Sequence, residues 1–178
     1  MGTIVEITVA HRSEEQARIA IGEAMGEFQR VDDLMSSYKT GSVVSKVNQT
    51  GSVAKVTVGK EIFQLLREAV AVSRTSGGAF DPTIWPVSKL WGFDQGGRIP
   101  TPEILVKKIA MVGYENLILD EYSHSVGLKV DGAGLDLGAI AKGWAIDRAI
   151  AKLVARGIRN AIIDAGRDLR IIGTRTGK

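Results

Sequence analysis

The chain predicts an α+β fold, a mixed sheet packed with helices. Three features of the sequence carry that expectation. A long stretch near its start repeats apolar residues at helical spacing, and several short stretches alternate apolar and polar residues instead. The two kinds do not follow one another regularly, as a doubly wound parallel sheet would require. At 178 residues the expectation is a single domain, 1–178. A chain of this size buries about 70% of the surface its unfolded form exposes, enough for a core without staples.

Residues 3–9 alternate and predict the first strand. Ser13-Glu-Glu-Gln16 is a capping-box start, in which the serine and the glutamine satisfy each other's orphan N–H groups. Ala17, Ile21, Ala24, Phe28, Val31 and Met35 then mark the core face of a long amphipathic helix. Residues 51–58 alternate and predict a short strand. A helix over about 60–76 turns Ile62, Leu66, Ala69, Val70 and Ser73 to one side, and Gly77-Gly78 stop it. Residues 79–100 hold Pro82, Trp85, Pro86, Trp91, Gly96 and Gly97 and predict an irregular loop, with Trp91 and Phe93 as packing residues. Loops that long inside a compact domain usually carry function.

Thr101-Pro102-Glu103 opens a third helix with proline at its first position, where no N–H is needed. Residues 116–120 and 125–130 predict a hairpin around 121–124. A glycine-rich turn follows, then a helix over about 138–156 whose core face is Ile146, Ile150, Leu153 and Val154. Residues 160–164 and 169–172 predict a closing pair of strands. There is no internal repeat, low-complexity tract or linker.

Composition removes several chemistries. Without cysteine there are no disulfides, thiolate nucleophiles or thiolate metal sites. His11 and His124 are the only histidines, too few for a three-histidine zinc site and a poor basis for a Ser-His-Asp triad. Any metal is therefore expected on oxygen ligands, as magnesium or calcium prefer. The formal charge of +3 is dispersed and aromatics make up 6%, so no stacking platform for nucleic acid is expected. No apolar run approaches membrane-spanning length, and no signal or anchor segment is expected in this chain.

The turn over residues 131–144 (DGAGLDLGAIAKGW) concentrates the chemistry. It joins Asp131, Asp136 and Lys142 to four glycines between a strand and a helix. Glycines let backbone N–H groups approach a ligand closely, and a helix N-terminus favours an anion. Nearby carboxylates would repel a phosphate unless a cation, a base or a sugar stood between them. The turn thus suggests a phosphate-bearing ligand accompanied by a metal ion.

Four pieces then line up in order: Met1-Gly2-Thr3; Ser36-Ser37-Tyr38 with Ser45 and Asn48; 78–83 (GAFDPT) leading to 90–93 (LWGF); and 136–143 (DLGAIAKG) with Asp147, followed by Asp164-Ala-Gly166 and Asp168. This ordered set resembles the bacterial FAD:protein FMN transferase, or ApbE, family, over nearly the whole chain. The resemblance implies an ApbE-like (T-fold-like) flavin transferase domain. It implies an Mg²⁺-dependent enzyme that cleaves the pyrophosphate of FAD, moves FMN to a threonine of a partner flavoprotein and releases AMP. In such chemistry charge develops on nonbridging and leaving oxygens, so positioning, a metal and cationic donors supply most of the catalysis.

By motif match, Met1, Tyr38, Ala79, Phe80, Asp81 and Asp136 fall on positions that contact FAD in the family. Ala139 falls where the family uses a backbone carbonyl as a magnesium ligand, and Lys142 is placed to reach a phosphate. Each residue also has a plainer reading. Tyr38 can be an ordinary amphipathic residue after a helix, Asp81 a turn residue before Pro82, Asp136 a helix cap and Lys142 a solvated charge. No catalytic residue is singled out.

Family members are longer, and the resemblance implies that their later part carries a "HIIDP"-type segment and an Asp and a Thr that complete the magnesium site. The expectation is thus a domain incomplete at its C-terminal end. Two positions depart from the pattern: Arg167 stands where the family usually has glycine, and Val43 where it commonly has an acidic residue. The resemblance also implies work in the bacterial cell envelope, on the periplasmic side.

Two other functions share the same residues: an FAD pyrophosphatase using water as acceptor, and a non-catalytic flavin-binding module. The end of the chain, 173–178 (GTRTGK), is one residue short of a P-loop and lacks the following Ser or Thr. A glycosidase on two of Asp131, Asp136, Asp164 and Asp168 is left open by spacing alone.

Overall fold

The computed structural model describes residues 2–174. It divides into two compact units. One comprises the described residues up to Asp33 and from Gly138 onward; the other is Leu34–Leu137.

In the first unit, β1 (Val5–Ala10), β5 (Asn160–Ala165) and β6 (Asp168–Ile172) form an antiparallel sheet in the order β1-β5-β6. The pairing sets Val5 opposite Ala165 and Ile7 opposite Ile163, and Ala165 opposite Asp168 across the closing hairpin. Ala161, Ile163 and Ala165 are buried while Ile162 between them is exposed, so the alternation selects one core face. Helix α6 (Gly138–Ala155) packs on β5 and β6. Helix α1 (Glu14–Met35) buries Ala24, Phe28 and Val31 in this unit, as its spacing predicts, and its buried Met35 falls within the other unit. The two helices are tied by Arg156 to Glu23 and by Lys152 to the nearly buried Glu27, which also takes Arg30 at 2.7 Å. Val154 departs from the expected core face: it is exposed, whereas Ile146, Ile150 and Leu153 are buried.

In the second unit, β2 (Val56–Thr57), β4 (Ser125–Leu128) and β3 (Leu117–Asp120) pair antiparallel in the order β2-β4-β3. The helix α3 (Gly59–Thr75) covers this unit's core with Ile62, Phe63, Leu65, Leu66, Ala69 and Val70. The expected strand over 51–58 shrinks to Val56–Thr57. Its first half is a turn, because Gly51 N–H closes α2 (Val43–Thr50) onto Val47 and Gly51 C=O accepts from Leu128. That helix was not expected from spacing. Ser42 caps it by accepting from Ser45 N–H at 2.9 Å.

The expected irregular loop 79–100 contains α4 (Trp85–Trp91) and a 3₁₀ turn (Phe93–Gln95). Pro86 lies in the first turn of α4, where its missing N–H costs nothing, and Gly92 ends the helix at φ 60°. Phe93 is not a core residue. It is 67% exposed and stacks parallel on Trp91. The predicted third helix is α5 (Pro102–Ile109), which packs on α4.

Candidate functional site

The GAFDPT segment is tied down through its aspartate. Asp81 Oδ1 accepts from Thr83 N–H at 2.8 Å and from Thr83 Oγ1 at 2.6 Å, and Oδ2 accepts from Tyr114 N–H at 2.9 Å. Thr83, fully buried, accepts in turn from Gly113 N–H at 2.8 Å. Asp81 thus spends three of about four carboxylate acceptor positions on the chain itself. An aspartate two residues before a threonine makes this local turn readily, and the distant Tyr114 and Gly113 N–H groups complete it.

The glycine-rich turn is held against the same segment. Asp136 N–H donates to Pro82 C=O at 2.8 Å, and Gly134 bridges Ile84 in parallel. Asn48, on α2, clamps Leu135 from both sides: its amide donates to Leu135 C=O at 2.9 Å and its carbonyl accepts from Leu135 N–H at 2.6 Å. Gly134 has no room for a side chain. A Cβ there would lie 2.5 Å from Trp85 Cδ1 and 3.0 Å from Asn48 Oδ1. Trp85 supports Tyr38 on its other contact, with ring centroids 5.2 Å apart at 80°. Tyr38 itself is 45% exposed.

Within the Leu34–Leu137 unit the fold therefore gathers Tyr38, Ala79, Phe80, Asp81 and Asp136 around Trp85 and Pro82. Trp85, Thr83 and Gly134 are the supporting residues that sequence reasoning did not assign. The threonine of GAFDPT was visible in the motif, but its role needed the distant Gly113 N–H as partner.

The remaining expected residues belong to the other unit. Lys142 on α6 pairs with Asp168 on β6 at 2.8 Å, and Arg170 pairs with Asp147. Ala139 is exposed in the first turn of α6. Gly166 and Arg167 form the two-residue turn between β5 and β6, at φ 61° and 74°. Both values belong to the left-handed region that favours glycine, so the arginine is strained there. Its N–H donates to Asp164 Oδ1 at 2.8 Å, which helps hold the turn. Met1 lies outside the described residues. Among the described residues no three His, Asp or Glu side chains gather as metal ligands.

A model of the ApbE family matches residues 1–178. The chain is 35% identical over 148 residues to the FAD:protein FMN transferase of Klebsiella pneumoniae, covering 82% of this chain and 46% of that protein. It is 31% identical over 149 residues to the FAD:protein FMN transferase of Vibrio cholerae, covering 82% and 44%. The crystal structure of the ApbE protein of Thermotoga maritima matches with a TM-score of 0.91 at 34% identity, over 99% of this chain and 58% of that one. The flavin transferase ApbE of Vibrio cholerae matches at 0.86 with 28% identity, over 98% and 57%. The chain spans about half the length of the curated relatives it matches. With its motifs in order, its α+β fold shared and the family model matched from end to end, the chain belongs to the ApbE family.

Proposed function

We propose that this chain carries the flavin-binding part of an Mg²⁺-dependent FAD:protein FMN transferase, which moves FMN from FAD to a threonine of a partner flavoprotein and releases AMP. The observation that carries the reading is the gathering of Tyr38, Ala79, Phe80, Asp81 and Asp136 within one unit. In this reading the ring of the part-exposed Tyr38, backed by Trp85, offers a face or hydroxyl to an aromatic ring of FAD. Ser76 accepts from the Ala79 and Phe80 N–H groups, and Asp81, held by Thr83 and Tyr114, keeps one acceptor position for a ligand hydroxyl or amine. Asp136 offers a second acceptor, its backbone already anchored to Pro82.

Lys142 is the cation that meets a phosphate, exchanging its partner Asp168 for the ligand. Magnesium, when bound, supplies charge neutralisation at the pyrophosphate, with the Ala139 carbonyl as this chain's one proposed ligand. The transfer breaks the pyrophosphate bond of FAD, joins the FMN phosphorus to the threonine oxygen, and leaves the second phosphate on AMP. The hydroxyl proton passes to solvent. By family resemblance the setting is the periplasmic side of the bacterial cell envelope. No helix among the described residues is long and apolar enough to cross a membrane.

The test is a titration of the chain with FAD, with and without Mg²⁺, following flavin fluorescence, and analysis of the products. Saturable quenching is expected, weakened in Asp136→Ala with far-UV circular dichroism largely intact, the backbone bond to Pro82 remaining in that variant. Covalent flavin on a protein threonine marks transfer, free FMN marks hydrolysis, and retained FAD marks a binding module. Absence of saturable quenching under both conditions would remove the flavin site from this chain.

A further inference from the structure

A cavity of about 460 Å³ lies within the Leu34–Leu137 unit, in the size range of small-molecule sites. Its apolar lining is Val70 of α3 with Leu117 and Leu119 of β3. Local geometry explains the lining. Leu117 and Leu119 are two apart on a strand and share a face, while Val70 and Arg74 are four apart on a helix and do likewise. Arg74 and Lys129, both exposed, also line the cavity, and the Lys129 N–H is fixed to Asn116 C=O at 2.9 Å.

The charges lining it are unequal. Glu115 is engaged by the Tyr114 hydroxyl, and this carboxylate raises the phenol above its ordinary value. Arg74 and Lys129, both exposed, form no ion pair among the described residues and so keep their charge for a ligand. Two unmatched cations beside an aliphatic lining favour a ligand with one anionic end and one apolar end. A compact dianion such as phosphate would leave that lining unused and would face Glu115 at greater cost.

We infer that this cavity is a binding site for a small amphipathic carboxylate, its carboxylate between Arg74 and Lys129 and its apolar body on Val70, Leu117 and Leu119. The site is distinct from the Tyr38–Asp81–Asp136 cluster. Tyr114 joins it to that cluster through its backbone N–H, which donates to Asp81.

The probe is 3-phenylpropionate, titrated into the ¹⁵N-labelled chain and followed by amide chemical shifts. Saturable shifts at Arg74, Tyr114, Glu115 and Lys129 are expected, with weaker binding of the neutral isostere 3-phenylpropanamide. The double variant Arg74→Ala/Lys129→Ala removes both charge-assisted bonds and should weaken 3-phenylpropionate by at least about tenfold. Leu119→Trp should abolish binding by filling the cavity. No saturation by about 10 mM would overturn the inference, since that is weaker than the ~4 kcal/mol of a millimolar site. So would equal binding of acid and amide, or undiminished binding in either variant. No flavin enters the measurement, so its failure leaves the flavin reading standing.

Discussion

Thr83→Val tests the buried knot beneath the candidate flavin residues. Valine matches threonine in shape, so the change isolates one hydroxyl. That hydroxyl donates to Asp81 Oδ1 at 2.6 Å and accepts from Gly113 N–H at 2.8 Å, and the residue has no exposed surface. Losing a bond to a charged acceptor costs roughly 1.5–3 kcal/mol, and stranding a buried N–H costs roughly 1–3 kcal/mol more. The methyl that replaces the hydroxyl returns about 1 kcal/mol of apolar burial, leaving a net loss of about 3 kcal/mol. Thr83→Ser keeps both bonds and gives up one methyl, about 1 kcal/mol. The predicted order is therefore wild type, serine, valine. A site governed by packing alone would place valine above serine. Urea midpoints at constant m-value measure the order. Valine equal to or above serine would refute the reasoning. A double-mutant cycle with Asp81→Asn should then return a coupling of at least about 1 kcal/mol, because the two side chains share a bond.

Three further outcomes are expected. Gly134→Ala must displace Trp85, whose Cδ1 would lie 2.5 Å from the new Cβ, at a cost of roughly 1–3 kcal/mol. A wild-type urea midpoint would contradict that close approach. Arg167→Gly relieves a φ of 74° and should stabilise the chain by roughly 0.5–1 kcal/mol after the glycine's extra chain entropy is subtracted; a lower midpoint would count against strain at this turn. Asp120, bonded to Lys55 at 2.8 Å and to the Ser123 N–H, is held down to about 2. Its folded value lies below the unfolded one, so its contribution is fully present above about pH 4 and is lost as pH falls toward 2. Lys55→Met should flatten that part of the acid-stability curve, and an unchanged slope would show that the pair is not the source.

Much of the fold is local in origin and could be read directly. The apolar spacing of Ala24, Phe28, Val31 and Met35, the alternation of β1, and Pro102 at a helix start each act within a few residues. What failed were elements whose stability is borrowed. The eight residues of α2 are too few to show a period, and they are held by the Ser42 cap and by burial of Val44 and Val47. Pro82 and Pro86 stood in the stretch expected to be irregular, yet Pro86 falls in the first turn of α4, where a helix tolerates proline.

The candidate site divides along the same line. Tyr38, Asp81 and Asp136 stand out as residue types within a motif order, and family membership follows from that order together with the match over 1–178. Their support does not stand out. Asn48 grips Leu135 across 87 positions and Asp81 takes Tyr114 N–H across 33, distances that only the packed unit closes. The demand for glycine at 134 comes from Trp85, and the strain at Arg167 from a turn that needs positive φ at both central residues. Residue chemistry and short-range periodicity are properties of the chain. Which carboxylate oxygen is already spent, which ring is propped and which backbone is strained are set by contacts between distant segments, and the tertiary structure alone decides them.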